Sequence, residues 1–274
     1  MNFFEKIIAG LQTEAPRPGN YGWFHLMFVA FVIIATVLLC LYGRKIKDKN
    51  FRLTVGICWG VIVLFEIYKQ LVFSYNAESD TWVYGWGSFP FQLCSTPIYV
   101  LPIIALVKDC KFRDGAITFI STFSFFGGLC VMVFPNDVFA TDLLGVQIQT
   151  MVHHGLQVVL GIYIAVYNRK KFTLKNLAWG GVYFVVLVIV ALVLNIALHF
   201  ALNQTFNMFY ISPYYPCTLP LLNMIYPVVP YVAFFFIYFI GFGICAIIMY
   251  YAIFGGMKLA DVIGAKFKKD KNEQ

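Results

Sequence analysis

The chain has 274 residues, of which 61% are hydrophobic and only 12% are charged, and its formal net charge is +7. This composition excludes a water-soluble globular protein, because apolar runs recur that are long enough to cross a hydrocarbon core of roughly 30 Å. The positive charge does not indicate nucleic-acid binding, because the basic residues flank the apolar runs as membrane topology requires. No nucleic-acid partner is therefore expected.

The amino-terminal residues 1–21 precede the first apolar run and are predicted to form an interfacial segment on the outer face. Five apolar residues share one helical face in this segment: Phe3, Phe4, Ile7, Ile8 and Leu11. That spacing is typical of a short helix lying on a membrane surface. A basic start and a small-residue cleavage site are both missing, so a cleavable signal peptide is not predicted.

The apolar runs predict an all-α, polytopic transmembrane bundle over residues 22–254. Seven spans are expected, at 22–43, 53–73, 88–107, 115–134, 144–167, 177–200 and 226–254. In the second of them, Gly56 and Gly60 lie four residues apart, a spacing that predicts close helix packing. No internal repeat is visible, which counts mildly against the two related halves of many transporters.

Lysine and arginine residues predict the orientation of the bundle. Of the 20, 17 lie in residues 44–52, 108–113 and 169–175 and in the segment after 257. Because basic residues accumulate in cytoplasmic loops, these segments are assigned to the cytoplasm. We therefore expect a multi-pass protein of the cell membrane, with an outer amino terminus and a basic cytoplasmic tail at 255–274.

Ionisable groups inside the second span call for an explanation, because each costs roughly 2.5–3.5 kcal/mol at the centre of a membrane helix. Glu66, Lys69 and Gln70 lie on one helical face by their spacing. Two interpretations are open at this point. The groups form a structural ion pair between helices, or they contact a substrate in the membrane.

The fifth span carries a polar stripe that cannot face lipid. Its polar residues fall within one half of the helix: Gln147, Gln149, Thr150, His153, His154 and Gln157. Adjacent histidines point about 100° apart, so His153 and His154 are not expected to bind one metal ion. Neither a metal nor another cofactor is predicted.

The third span is predicted to have irregular backbone, because Pro90 and Pro97 lack the amide hydrogen that a regular helix needs. Cys94 lies between these prolines. Counted from the outer ends of their spans, Cys94 and His154 are at similar depth, so helix packing can bring them together. A cysteine paired with histidine becomes a thiolate nucleophile that can accept an acyl group.

Three motifs resemble the YwaF-like integral membrane proteins, a family related to transmembrane protein 164, an acyltransferase of animals. They are the segment Phe91 to Pro102, the His153-His154-Gly155-Leu156 motif, and the Tyr-Pro-x-x-Pro-Tyr motif at 226–231. The resemblance extends over most of the chain. Many members carry a histidine two residues before the cysteine, where this chain has Gln92, so a second imidazole is not expected there.

The resemblance implies acyl transfer between phospholipids through a cysteine acyl-enzyme with a histidine partner, which here are Cys94 and His154. Membrane lipids are then the expected partners. Gln92 and Thr150 are predicted to donate hydrogen bonds to the developing oxyanion. The same hypothesis assigns substrate contacts to His153, Glu66 and Lys69, with Glu66 orienting an imidazole and the Lys69 ammonium meeting a lipid phosphate.

Two alternatives remain open from the sequence. In a transporter or small-molecule binding protein, Glu66, Lys69 and His154 would line a polar pathway, and Cys94 would only fill space. In a structural membrane subunit, the same polar groups would only hold helices together.

Overall fold

The computed structural model describes residues 1–135 and 138–272. It is 72% helical and nearly all-α, which confirms the predicted all-α bundle. In this described part, six helices are long and apolar enough to cross a membrane. They are Trp23–Lys45, Asp48–Ser74, Lys111–Val133, Leu144–Tyr167, Leu174–His199 and Tyr231–Lys266. The chain is thus a multi-pass membrane protein. The count of seven spans and the orientation stay predictions.

The elements follow one another as α-helices with a short hairpin. The helices are α1 (Phe3–Leu11), α2 (Trp23–Tyr42), α3 (Asp48–Ser74), α4 (Pro97–Leu106), α5 (Lys111–Phe119), α6 (Phe125–Val133), α7 (Leu144–Tyr167), α8 (Leu174–His199), α9 (Leu222–Ile225) and α10 (Tyr231–Asn272). Strands β1 (Tyr75–Asn76) and β2 (Thr81–Trp82) pair antiparallel, with Tyr75 opposite Trp82. A π-helix at Ile120–Ser124 joins α5 to α6, so these two helices make one continuous span.

Helix α7 occupies the centre of the bundle. In its most apolar stretch 72% of the residues are buried, against 11% in the span that contains α2. Helices α2, α3 and α6 pack around α7. This arrangement follows from the polar stripe of α7, because those side chains must be kept away from lipid.

The predicted third span, 88–107, differs from a regular membrane helix. Only its second half is α-helical, as α4, and Leu93–Ser95 forms a 3-10 turn. Pro97 occupies the first helical position, where its missing amide hydrogen does no harm, whereas Pro90 lies in the non-helical stretch before it. Cys94 therefore lies on a turn rather than on a regular helix.

The amino-terminal segment forms the predicted short helix, α1, which begins with a capping box between Asn2 and Glu5. Its apolar face is divided between two environments. Ile8 is buried in a small core with Val72 and Val146, whereas Phe3 remains 81% exposed. Helix α1 is therefore anchored on the ends of α3 and α7, and Phe3 is free to contact a membrane.

The last helix is longer than the sequence predicts. It begins at Tyr231, directly after Pro230, and continues through the predicted tail to Asn272. No proline follows Phe254 to stop it. An ion pair from Arg169 to Asp261 holds this extension, with the two nitrogen–oxygen distances at 2.8 and 2.5 Å. The final two residues of the predicted tail lie outside the described residues.

Close helix packing occurs at a glycine other than the predicted pair. A Cβ atom at Gly56 or Gly60 would meet nothing within 4 Å, so the packing prediction for that pair is wrong. At Gly128 in α6, a Cβ atom would lie 2.6 Å from the Gln157 Cβ and 2.9 Å from the His154 carbonyl oxygen. Only glycine fits this crossing of α6 with α7.

A network of charged side chains joins α3, the loop before α5, the start of α5, and the loop before α8. This charge cluster comprises Asp48, Arg52, Asp109, Arg113, Asp114 and Lys171. Arg113 is only 1% exposed, and it donates hydrogen bonds to the Ile104 carbonyl at 2.9 Å and to Asp109 at 2.5 Å. Sequence reasoning assigned the basic residues of these loops to topology alone and missed their ion pairs with the aspartates of the cluster.

Candidate functional site

Cys94 lies at the centre of a tight turn that leads into α4. The Ser95 amide donates to the Gln92 carbonyl at 2.9 Å, and the Thr96 amide donates to the Leu93 carbonyl at 3.3 Å. The Cys94 side chain is half-buried and lies beside the Ser95 side chain. This turn presents both the thiol and the backbone carbonyl of Cys94 to neighbouring elements.

Helix α7 holds the Cys94 turn through one oxygen atom. The Cys94 carbonyl accepts a hydrogen bond from His153 Nε2 at 2.7 Å and a second one from Gln157 Nε2. His153 and Gln157 are four residues apart and therefore lie on the same face of α7. The third and fifth predicted spans thus meet at Cys94, inside the bundle.

The hydrogen bonds of the two histidines fix their tautomers. A carbonyl oxygen can only accept, so His153 carries its proton on Nε2, and His154, which bonds the Thr150 carbonyl at 2.8 Å, carries its proton on Nδ1. The remaining nitrogens, His153 Nδ1 and His154 Nε2, are buried and have no partner among the described residues. The ring centroids of the two imidazoles are 5.3 Å apart, and each ring has one unprotonated nitrogen.

The structure places the two histidines differently from the sequence expectation. His154 was predicted to face Cys94, with His153 turned about 100° away, yet the ring that contacts the Cys94 residue is that of His153. The contact runs through the carbonyl oxygen and not through the sulfur. Direct pairing of the Cys94 thiol with either imidazole therefore stays a prediction.

Glu66 and Lys69 form an ion pair on the side of α3 that faces this site. Glu66 Oε1 accepts from Lys69 Nζ at 2.8 Å and from Gln70 Nε2 at 2.6 Å. Gln70 Nε2 also donates to the Ser88 carbonyl at 2.7 Å. Hydrogen bonds therefore join polar residues of the second predicted span to the third, as those from His153 and Gln157 join the fifth to the third.

Both ends of the Gln92 side-chain amide bond the backbone of a loop before the last helix. Its Nε2 donates to the Asn207 carbonyl at 2.9 Å, and its Oε1 accepts from the Phe209 amide at 2.7 Å. Phe209 has a positive φ of 56°, an uncommon conformation for a residue with a side chain, so both ends of the Gln92 amide hold a strained loop. The bond to Asn207 uses one of the two Nε2 hydrogens, so the oxyanion role of Gln92 stays a prediction.

Thr150 supports the site through its backbone. Its carbonyl oxygen fixes the His154 tautomer, and its hydroxyl lies 3.4 Å from Gln149 Oε1. These contacts connect Thr150 with His154 in α7, and they show no hydrogen bond from its hydroxyl to the Cys94 turn. The predicted oxyanion role of Thr150 stays a prediction.

Three further polar residues were not assigned to the site from the sequence. Gln157 belongs to the polar stripe of α7, so its position gave a signal that could have identified it. Ser121 and Ser124 lie in the π-helix, which packs against α7 and the Cys94 turn, and their hydroxyls are buried without a partner in the described part of the chain. Nothing in the sequence pattern indicated this π-helix, a feature that often occurs at functional sites.

The chain belongs to the TMEM164 family, whose model matches residues 20–254. The matched region contains the helices from α2 to α9, the first half of α10, and all the residues around Cys94. This match confirms the resemblance to the proteins related to transmembrane protein 164, and it does not test the YwaF label. No curated protein and no solved structure matches the chain significantly.

Proposed function

From its membership of the TMEM164 family and the geometry at Cys94, we propose that this protein is an acyltransferase of the cell membrane. It moves a fatty acyl chain between glycerophospholipids and lysolipids through a thioester on Cys94. The observation that carries this proposal is the Cys94 turn held by α7, together with two buried imidazole nitrogens that have no partner in the described part of the chain.

In the first half-reaction an imidazole nitrogen takes the proton of the Cys94 thiol. The sulfur attacks an acyl ester carbonyl of the donor lipid, a carbon–sulfur bond forms, and the ester carbon–oxygen bond breaks. The leaving lysolipid oxygen takes up the proton from the imidazolium. His153 contacts the Cys94 residue directly and is the first choice for this base, whereas the family resemblance points to His154.

The proposed orientation places this chemistry towards the outer leaflet. The basic residues lie in the loops at the opposite end of the spans, next to the charge cluster. Glu66 follows Asp48 by 18 residues along α3, which corresponds to about 27 Å and hence to most of a bilayer core. A lipid can therefore enter sideways from the outer half of the membrane.

The direct test is to detect the acyl-enzyme. Purified protein incubated with a phospholipid labelled in its acyl chain is expected to acquire a hydroxylamine-sensitive label on Cys94. Cys94→Ala is expected to lose the label, whereas Cys110→Ala, which alters an exposed thiol, keeps it. Replacing the catalytic histidine by alanine is expected to slow labelling by roughly a hundredfold to ten-thousandfold, so His153→Ala and His154→Ala identify the base. Equal acyl transfer by wild type and Cys94→Ala would refute the covalent mechanism.

A transporter is the second candidate, and the intramembrane ion pair of Glu66 with Lys69 is the observation that favours it. In that case the unpartnered nitrogens near Cys94 would line a pathway for an ion or a small polar solute. Substitution of Glu66 or Lys69 would then abolish uptake into vesicles. Cys94→Ala would leave uptake unchanged, which is the opposite of the acyltransferase expectation.

A further inference from the structure

A groove of about 310 Å³ lies between α3 and the stretch from Pro90 to Ile98. Its walls are mostly apolar and include Val63, Ile67 and Leu71 together with Pro90 and Ile98. Ile67 is 51% exposed on the outside of the bundle, so the groove is open to the surrounding lipid. The stretch that closes one side of the groove contains Cys94.

Glu66 also lines this groove, and one of its two oxygens has no hydrogen-bond partner among the residues that the structure describes. Both donors of the same helix, Lys69 and Gln70, bond Oε1. Oε2 is buried, and no hydrogen bond reaches it from the described residues, although the Glu66 residue is only 6% exposed. A buried acceptor without a donor is costly, so this oxygen is suited to a donor brought by a ligand.

The charges of Glu66 and Lys69 limit which kinds of ligand group can donate a hydrogen bond to Glu66 Oε2. The Glu66 carboxylate is already neutralised by the Lys69 ammonium at 2.8 Å, so a cationic ligand would leave an uncompensated positive charge at membrane depth. An anionic ligand would be repelled by Oε2. A neutral hydroxyl satisfies the oxygen without adding charge, and the apolar walls of the groove suit the hydrocarbon chain of a lipid.

We propose that this groove is the acyl-acceptor subsite and that Glu66 recognises the acceptor, a lysoglycerolipid. Its free hydroxyl donates to Glu66 Oε2, and its single chain lies against Val63 and Ile98. This inference rests on the proposed acyltransferase function. It assigns to Glu66 a contact with the substrate rather than with an imidazole.

In the second half-reaction of this proposal the acceptor comes from the groove. The acceptor hydroxyl oxygen attacks the carbonyl carbon of the Cys94 thioester, a carbon–oxygen bond forms, and the carbon–sulfur bond breaks. During the attack the hydroxyl turns its single proton from Glu66 Oε2 to the unprotonated imidazole nitrogen, and the imidazolium then passes it to the sulfur, which restores the thiol.

A two-stage experiment separates the subsite from the proposed function. Full-length protein is first acylated by a labelled diacyl phosphatidylcholine and is then chased with lysophosphatidylcholine or with its analogue lacking the free hydroxyl. Glu66→Gln is chased only after it carries the label, so that an effect of this site residue on the acylation rate does not enter the chase rate. Its loss of label to lysophosphatidylcholine is expected to slow by roughly tenfold to a hundredfold, the effect of losing a charge-assisted hydrogen bond.

Matched variants complete the test. Glu78→Gln makes the same substitution at an exposed carboxyl group and is expected to behave as wild type in both stages. Val63→Trp fills the groove without altering the ion pair, so it keeps the test decisive if Glu66→Gln does not fold, and it is expected to slow the chase selectively. The wild-type label is expected to survive the analogue that lacks the hydroxyl.

The outcomes are distinguishable. A wild type that never forms an acyl-enzyme refutes the proposed function and this subsite with it. A labelled Glu66→Gln protein that transfers its acyl group at the wild-type rate refutes only the subsite. Equal slowing of acylation and chase in Val63→Trp would also refute it, because the groove would then serve the donor.

Discussion

Two polar clusters in the same bundle differ in how completely their groups are paired. In the charge cluster each charged group faces an opposite charge. In the second cluster, around Cys94, several buried acceptors face no donor among the described residues. This Cys94 cluster comprises Glu66, Lys69, Cys94, His153, His154 and Gln157. The complete pairing in the charge cluster indicates that this cluster stabilises the fold. The unpartnered acceptors in the Cys94 cluster indicate a ligand-binding site.

The atoms without hydrogen bonds make the difference concrete. In the charge cluster, Arg113 Nη2 and Asp114 Oδ1 have no hydrogen bond, but they lie 4.0 Å from Asp48 and 3.5 Å from Lys171 respectively. In the Cys94 cluster the corresponding atoms are Glu66 Oε2, His153 Nδ1, His154 Nε2 and Gln157 Oε1. All four atoms are hydrogen-bond acceptors, the two histidine nitrogens because of the tautomers that the structure fixes. A ligand that binds here must therefore supply hydrogen-bond donors.

The largest effect on stability is expected from Arg113→Met. The substitution removes hydrogen bonds to the Ile104 carbonyl and to Asp109, and hydrogen bonds from a charged group contribute about 1.5–3 kcal/mol each. We expect the free energy of unfolding to fall by about 3 kcal/mol or more, measured by thermal or denaturant unfolding in detergent. The Cys94 cluster, at the other end of α3, is expected to keep its reactivity towards a labelled lipid.

Arg44→Met is the matched control for this prediction. Arg44 is exposed, so the same substitution there is expected to change the free energy of unfolding by less than about 0.5 kcal/mol. Equal effects at Arg44 and Arg113 would contradict a stabilising role for the charge cluster.

A smaller effect on stability is expected from Gly128→Ala, which acts on the Cys94 cluster. The added methyl group would lie 2.6 Å from the Gln157 Cβ, so α6 and α7 must separate at a cost of about 1–3 kcal/mol. Separation moves Gln157 away from the Cys94 carbonyl. We therefore expect slower acylation of Cys94 together with a lower melting temperature.

Gly60→Ala provides the comparison for Gly128→Ala. A Cβ atom at Gly60 meets nothing within 4 Å, and alanine favours a helix over glycine by about 0.5–1 kcal/mol. Gly60→Ala is thus expected to leave acylation unchanged and to be neutral or slightly stabilising. Loss of acylation in Gly60→Ala but not in Gly128→Ala would reverse the assignment of the close helix contact.

The sequence predicts the helices well because hydrocarbon thickness and hydropathy fix them locally, and the polar stripe of α7 predicts which helix is central. The choice between His153 and His154 could not be predicted in the same way. It depends on where the 3-10 turn at Leu93–Ser95 lies relative to α7, and irregular backbone has no periodicity from which to calculate that position. Burial of Arg113 was missed for a related reason, since its partners come from three separate segments.

The smallest expected effect is the stability that the charge cluster loses in acid. The pKa of the Asp109 carboxyl is held below its ordinary value of 3.8, chiefly by the hydrogen bond from Lys171 and also by the charges of Arg113 and Arg52. A carboxyl group whose pKa is lower in the folded state stabilises the fold above its unfolded pKa. That contribution is lost as the pH falls through the folded pKa.

Asp109→Asn tests this linkage through the melting temperature in detergent between about pH 6 and pH 2. The variant is expected to melt lower than wild type at pH 6, because its ion pairs with Lys171 and Arg113 are gone. As the pH falls, wild type loses the same pairing by protonation of Asp109. The melting temperatures of wild type and Asp109→Asn should therefore converge in acid. If the difference between them stays constant over the whole range, the charged form of Asp109 contributes nothing to the fold. The contrast between a paired charge cluster and an unpaired Cys94 cluster would then have to rest on hydrogen bonding alone.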